Sequence, residues 1–304
     1  MLPYTFWIAL RYARFRGKRS FVSLITLITV TGVAVGVMTL MVVMSVMSGF
    51  DAELKDKFLG VYGHVVISGE GILNDYRSLV ERVERHPGVK AVAPYVAGQV
   101  IVRTRNRALG VNLRGIDPAA EARVSKLASY LREGSLDLGP DGILIGSQMA
   151  ELYRLSVGDK VILISPAEDL LPGGAGARRE KFTVTGVFKS GMAQYDLELA
   201  YVSLSAAQRF FNLGEAVTGI SLVVDDVEEA HAVRNRLSEI FTYPPFIVRS
   251  WMELNKPLFS AIRVEKNLMF IIVPLIIVVA ALNIASTLIV TVKEQTKAIG
   301  ICKS

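Results

Sequence analysis

Two stretches of this chain carry no charge. From Ser20 to Phe50, 31 consecutive residues contain no Asp, Glu, Lys or Arg, and from Asn267 to Val292 another 26 contain none. A helix needs about 20 predominantly apolar residues to cross the hydrocarbon core of a bilayer, so each run is long enough to span it. Basic residues precede the first run, as in a secretory signal, but a signal h-region is only about 7–15 residues long. The first run is therefore read as an uncleaved transmembrane helix. The rest of the composition follows from this division. A chain of 304 residues that is 51% hydrophobic and 20% charged keeps its two compositions in separate segments.

The charges give the two runs an orientation. Arg11, Arg14, Arg16, Lys18 and Arg19 stand before the first, and Lys293, Lys297 and Lys303 follow the second against a single acid, Glu294. Residues 51–266 between them are nearly balanced. Lys and Arg accumulate on the cytoplasmic side of a membrane, so both termini are expected in the cytoplasm and residues 51–266 are expected to be exported. The net charge of +6 thus belongs to the membrane flanks. The middle segment is not basic and shows no basic–aromatic groove pattern, which argues against nucleic-acid binding. The one cysteine, Cys302, lies on the cytoplasmic side. The exported segment has no disulfide and must be held by its hydrophobic core.

Within that segment the hydrophobic period switches repeatedly between strand and helix. The first helical pattern continues past the apolar run through "SGFDAELKDKFLG", as a stalk. "HVVIS", "VAPYVAGQVIVRTR", "LGVNLRGID", "GILIG", "VILIS", "KFTVTGVF", "AYVSL", "GISLVV" and "FIVRS" read as strands. "DYRSLVERVERH", "PAAEARVSKLASYL", "SQMAELYRL", "AAQRFF" and "VEEAHAVRNRLSEI" read as helices. Helices laid on a mostly antiparallel sheet, an α+β domain, is the layer architecture this order favours. Ser250-Trp251-Met252-Glu253 has the spacing of a capping box and opens a helix expected to run, kinked at Pro257, into the second apolar run. The expected organisation is an interfacial segment at 1–19 and a membrane helix at 20–50. An exported domain follows at 51–250, then a stalk helix at 251–266, a second membrane helix at 267–292 and a cytoplasmic segment at 293–304.

The chain offers little for catalysis. It contains no phosphate-binding G-x-x-x-x-G-K-[ST], no H-E-x-x-H, no C-x-x-C and no G-x-S-x-G. His64, His86 and His231 lack the spacing of metal ligands and read as structural or solvated. No metal, cofactor or enzymatic activity is expected. The membrane helices carry other signals. Gly32 and Gly36 form a G-x-x-x-G pair that permits close helix packing, and Asn283 is placed to hydrogen-bond another helix. Met38, Met41, Met44 and Met47, with Ser45 and Ser48, make a methionine-rich half-helix. It suits either ordinary packing or an adaptable apolar binding surface. Pro274 suggests a kink. "FWIALRYARFRGKRS" interleaves aromatic and basic residues, as an interfacial helix on an anionic leaflet does. The segment 165–182, "SPAEDLLPGGAGARREKF", interrupts two good strands. By pattern alone it is an ordinary surface loop.

Taken together these stretches resemble the LolC/LolE family, permease subunits of the lipoprotein-releasing ABC transporter, within a broader group that includes MacB and FtsX permeases. The likeness is carried by the first apolar helix with its basic flank, "LRGIDPAAEARVSKLASYLREGSLDLG", "GDKVILISP", "FKSGMAQYDLELAYVSL", and the run from "LNKPLFSAIRVEKN" to the final "KEQTKAIGICKS". It covers essentially the whole chain. The resemblance implies four transmembrane helices, two of them beyond this chain's end, and a periplasmic domain of the MacB core type. It implies a separate LolD-like ATPase that binds ATP, a second permease subunit in a homo- or heterodimer, a LolA-like periplasmic carrier, and acylated lipoproteins as cargo. Location in the bacterial inner membrane follows from it. So does a cargo cavity at Met41, Met44, Ser45, Met47, Ser48, Phe50, Leu258, Phe259, Ile262 and Phe270. The 165–182 loop becomes a carrier-binding hairpin, with Pro166, Leu170, Leu171, Pro172, Arg178, Arg179 and Lys181 as its candidate contacts. Its tip, "GGAGA", departs from the family in lacking a bulky apolar residue. Lys293, Glu294, Thr296, Lys297 and Ile299 become the start of a coupling helix on the ATPase. The alternatives are a MacB-like efflux or FtsX-like signalling permease, or a two-span periplasmic receptor.

Overall fold

The computed structural model describes residues 20–104, 107–165, 178–241 and 246–303. The chain divides into two units: Met1–Ala52 with Pro257–Ser304, and Glu53–Lys256.

The first unit is built from two helices. Helix α1 runs unbroken from Ser20 to Val61, 42 residues, and the last helix, α10, from Lys256 to Lys303, 48 residues. At 1.5 Å per residue α1 is roughly 63 Å long, about twice the thickness of a hydrocarbon core. Both are long and apolar enough to cross a membrane, at Leu27–Val61 and Ile262–Val290. Their apolar side chains are turned outward: Leu27, Met38, Phe270 and Leu282 are all more than half exposed. An apolar surface of this size is stable only against lipid or further helices. Helix α10 continues through Pro274 without interruption.

The second unit is a mixed sheet with helices on it. In chain order its strands are β1 (Val65–Leu73), β2 (Val89–Arg103), β3 (Ala108–Ile116), β4 (Leu131–Gly134), β5 (Gly142–Gly146), β6 (Lys160–Ile164), β7 (Arg179–Phe188), β8 (Leu199–Ser203), β9 (Val217–Val224) and β10 (Phe246–Ser250). The order across the sheet is β10-β1-β9-β2-β3-β8-β5-β7-β4, and β6 pairs with both β2 and β7. That double pairing closes a six-stranded ring, β2-β3-β8-β5-β7-β6, with β9, β1 and β10 continuing from the first half of β2. Pairing is antiparallel except between β3 and β8 and between β5 and β7. The ring interior is filled by Val100, Val102, Val111, Leu113, Ile143, Ile145, Leu163, Phe182 and Val202, all buried. On the outer face of the same strands a second core joins Ile116, Leu144, Phe188, Leu199 and Tyr201 to Val61, the last residue of α1.

The helices of this unit are α2 (Tyr76–Glu84), α3 (Pro118–Val124), α4 (Leu127–Tyr130), α5 (Ser147–Tyr153), α6 (Ala193–Glu198), α7 (Leu204–Phe211), α8 (Ala230–Ile240) and α9 (Trp251–Leu254). Their ends are set by local chemistry. Asp117 accepts from the Ala119 amide at 3.0 Å with Pro118 at the first helical position. Arg154 and Asn212 close α5 and α7 in the left-handed conformation.

Two sequence expectations are corrected. "PAAEARVSKLASYL" is not one helix. Ser125 is extended, which lets the Lys126 amide donate to the Gly60 carbonyl of α1 at 2.8 Å instead of to a helical partner. Nor does the helix opened by Ser250 run straight on. Glu253 accepts from the Ser250 amide at 2.9 Å, as the capping box requires, but α9 ends at Leu254 and α10 begins only after Asn255. Pro257 lies in the first turn of α10, where a missing N–H costs nothing. Strand β4 and helix α6 are elements that the sequence pattern did not reveal.

Candidate functional site

Helices α1 and α10 of the membrane unit line an open cavity of about 440 Å³, formed by Met44, Met47, Ser48, Ile262, Glu265, Met269, Phe270, Val273 and Pro274. The α1 contributors stand at i, i+3 and i+4, one face of one turn. On α10 Ile262, Glu265, Met269 and Val273 make a stripe with the same logic, with Phe270 and Pro274 beside it. Four thioether or aromatic groups, Met44, Met47, Met269 and Phe270, give the wall an adaptable apolar character. Pro274 has no N–H, so the carbonyl of Phe270 loses its helical donor within the cavity lining.

Of the residues assigned to a cavity by resemblance, the structure brings together Met44, Met47, Ser48, Ile262 and Phe270. Met41, Ser45 and Phe50 are exposed, Phe259 is half-buried, and none of the four is among the described lining residues. Met41 lies one turn before Met44. Ser45 is rotated about 100° from Met44 around the helix. Phe50 falls beyond Ser48. The side chain of Leu258 lies outside the described residues. The residues that sequence reasoning missed are Glu265, Met269, Val273 and Pro274. The helical repeat from Ile262 was the available signal, since it reaches Glu265, Met269 and Val273 in turn.

The other assigned residues are distributed as follows. Thr29 and Thr287 join the two helices through their hydroxyls at 3.3 Å, and Thr287 donates back to the Asn283 carbonyl at 2.9 Å. Asn283 is itself exposed. Neither Gly32 nor Gly36 has a neighbour within 4 Å of where a Cβ would stand, so both present open backbone. Lys293 is exposed. The side chains of Glu294, Thr296, Lys297 and Ile299 lie outside the described residues.

In the second unit, β6 and β7 form the base of an antiparallel hairpin, closed where the Ser165 amide donates to the Arg178 carbonyl at 3.0 Å. Pro166, Leu170, Leu171 and Pro172 lie outside the described residues. Arg179 and Lys181 are exposed on one face of β7. Arg178 is tethered: its Nη1 donates to the Arg209 carbonyl at 2.6 Å and to the Phe210 carbonyl at 3.3 Å. A guanidinium there satisfies the last carbonyls of α7 and complements its dipole. Arg209 in turn meets Asp141 at 3.1 Å and Glu180 at 3.5 Å. These bonds fix the start of β7.

The histidines take no part in a site. His86 is half-buried, with Nδ1 2.9 Å from the Pro87 carbonyl, and His231 is exposed. His64 is buried and its Nδ1 accepts from the Val224 amide at 3.2 Å. Burial pushes the His64 imidazole below its ordinary range, aided by Lys55 and Lys90.

These observations define a class: an α/β domain preceded and followed along the chain by apolar helices, which together line a small cavity. The family model for the MacB-like periplasmic core domain matches residues 26–240. A lipoprotein-releasing system transmembrane protein LolC of Neisseria meningitidis serogroup B is 35% identical over 98% of this chain and 73% of its own length. The LolE counterpart of Haemophilus influenzae is 29% identical over 98% of this chain and 73% of its own length. The solved periplasmic region of MacB from Actinobacillus actinomycetemcomitans covers 66% of this chain and 94% of its own, at 14% identity and a TM-score of 0.42. The chain belongs to the LolC/LolE family of permease subunits, membrane proteins with a periplasmic MacB-like core domain.

Proposed function

We propose that this chain is a permease subunit that lifts acylated lipoproteins out of the bacterial inner membrane and passes them to a soluble periplasmic carrier. The observation that carries this reading is the apolar cavity between α1 and α10, lined by Met44, Met47, Met269 and Phe270. Flexible thioethers accommodate acyl chains of varied shape without a fixed register. ATP is bound and hydrolysed by a partner ATPase, since no phosphate-binding loop occurs in this sequence. A second permease subunit completes the membrane assembly. Both termini face the cytoplasm, in keeping with the clustered Lys and Arg at the membrane flanks. The segment from Lys293 onward docks on the ATPase, and the hairpin rooted in β6 and β7 receives the carrier, with Arg179 and Lys181 facing it.

The test places a charge in the cavity. Met44→Asp and Met269→Asp in the reconstituted transporter should each lower lipoprotein release by about tenfold or more. A carboxylate in apolar surroundings is strongly disfavoured. Assembly with the ATPase should be retained. Wild-type release from both variants would sink the proposal.

A further inference from the structure

Beneath the end of α1 the periplasmic domain holds a buried cation that the transport reading does not use. Arg114, on β3, is 4% exposed. Its guanidinium lies over the ring of Tyr95 at 4.2 Å and over the ring of Tyr62 at 5.2 Å. Tyr62 directly follows the last residue of α1. Glu121, on α3, is 2% exposed and supplies the countercharge. Among the described residues, Nε and Nη2 of Arg114 and both carboxylate oxygens of Glu121 make no hydrogen bond. The cation is therefore held by ring faces and by charge, not by a hydrogen-bonded fork. Planar guanidinium suits this arrangement and a lysine ammonium does not. Burial works against the charge on Arg114, but Glu121 and the surrounding tyrosine oxygens outweigh it, so the group stays protonated.

The same helix end is gripped from its other sides. Val61 is in the core with Phe188 and Tyr201. The rings of Phe58 and Tyr62 both meet Tyr195 edge-on, at 5.9 and 5.4 Å. Asp56 pairs with Lys126 at 2.6 Å, and the Gly60 carbonyl accepts from the Lys126 amide. A buried ion pair adds little to stability compared with apolar residues of the same volume, and its best-attested use is to specify one arrangement among several.

We infer that Arg114 is a positioning residue that keys the last turn of α1, through Tyr62, to one fixed seat on the periplasmic sheet, so that helix end and sheet move as one body.

The test is backbone hydrogen exchange on the full chain in detergent micelles, which needs neither cargo nor ATPase and so stands apart from the transport reading. Arg114→Met combined with Glu121→Met removes both charges at once, the change most compatible with retained folding. Tyr62→Leu removes the ring alone. In each, amides of residues 56–62 should exchange about tenfold faster or more, while those of Val100, Val111 and Leu163 in the ring should change by less than about twofold. Tyr62→Phe keeps the ring face and should exchange as wild type does. The inference is overturned if residues 56–62 keep their protection, or if the ring strands loosen to the same extent. Should the double variant fail to fold, Tyr62→Leu decides by the same criteria.

Discussion

At its N-terminal end the periplasmic domain takes the last turns of α1 into its own core. At its C-terminal end it leaves through the four-residue helix α9 and a break at Asn255. The first junction buries Val61 and crowds Tyr62, Phe58 and Tyr195 together. The second buries Trp251 and otherwise rests on hydrogen bonds, among them the Ser250 amide to Glu253 and Asn255 Nδ2 to the Trp251 carbonyl at 2.9 Å. A junction made of packed core resists bending because every rotation opens a gap elsewhere. A junction made of a cap and a one-residue break yields at little cost. Within the domain one chain end is thus held by packed core and the other more by local hydrogen bonds, and the difference lies in what surrounds the backbone more than in helix propensity.

The comparison can be broken or sharpened by substitution. The largest effect is expected from Phe188→Ala, which empties a fully buried site against Tyr201 and should cost about 3–5 kcal/mol in chemical denaturation. It should also loosen residues 56–61. If it destabilises the domain and leaves that turn protected, the stiff junction does not depend on the core. Gly60→Val comes next. Any Cβ at Gly60 meets the Tyr130 hydroxyl and ring, and overpacking of this kind costs about 1–3 kcal/mol. Its thermal midpoint should fall, and pairing it with Tyr130→Ala should recover part of the loss.

Glu253→Ala should cost only about 1 kcal/mol, because it removes a cap at the compliant end. It also removes the ion-pair partner of Arg234, whose Nη2 lies 3.0 Å from Glu253, while the Arg234 bonds to Val248 and Asn235 remain. Exchange at residues 56–61 should not change. Acid probes both junctions, since His64 accepts from Val224 through its ring and from the Trp251 amide through its carbonyl, at 2.9 Å. Its pKa is lowered in the fold, so its contribution is complete above the ordinary histidine value of 6.5 and is lost as pH falls through the folded value. A urea series between neutral and mildly acidic pH should show a step that His64→Gln lacks. Smallest of all, Asp56→Ala removes an exposed ion pair with Lys126 and should cost about 0.2–1 kcal/mol, less at high salt.

Much of this architecture is legible in the sequence because burial leaves periodic marks. The two charge-free runs, the methionine face of α1 and nine of the strands follow from apolar spacing. What escaped does so for identifiable reasons. Strand β4, "LREG", is too short to alternate, and its Gly134 is held at positive φ. Ring closure depends on β6 pairing with two partners, one of them about 60 residues distant along the chain, and no local pattern encodes that. Arg114 stands where alternation points a side chain away from the ring interior, and a charged residue there reads as solvated. That face is instead covered by the end of α1 and by α3, so the strand is buried on both sides. The break at Asn255 was hidden because "WMELNKPLFS" is a plausible continuous helix, and Pro257 drew attention from the residue two positions earlier. In the cavity, Glu265 lies just outside the charge-free run, so composition alone assigns it to the stalk, although it shares a helical stripe with Ile262 and Met269.

The six-stranded ring has one more consequence. Strands β6 and β7 are each paired on both sides, β6 to β2 and β7, β7 to β5 and β6. The two ends of the segment between Ser165 and Arg178 are therefore held at a fixed spacing by the ring, whatever lies between them. Because the entropy of closing a loop grows only slowly with its length, that segment can be lengthened, shortened or exchanged with little penalty to the fold. The ring thus works as a socket: what is plugged into it can be rewritten while the fitting stays the same.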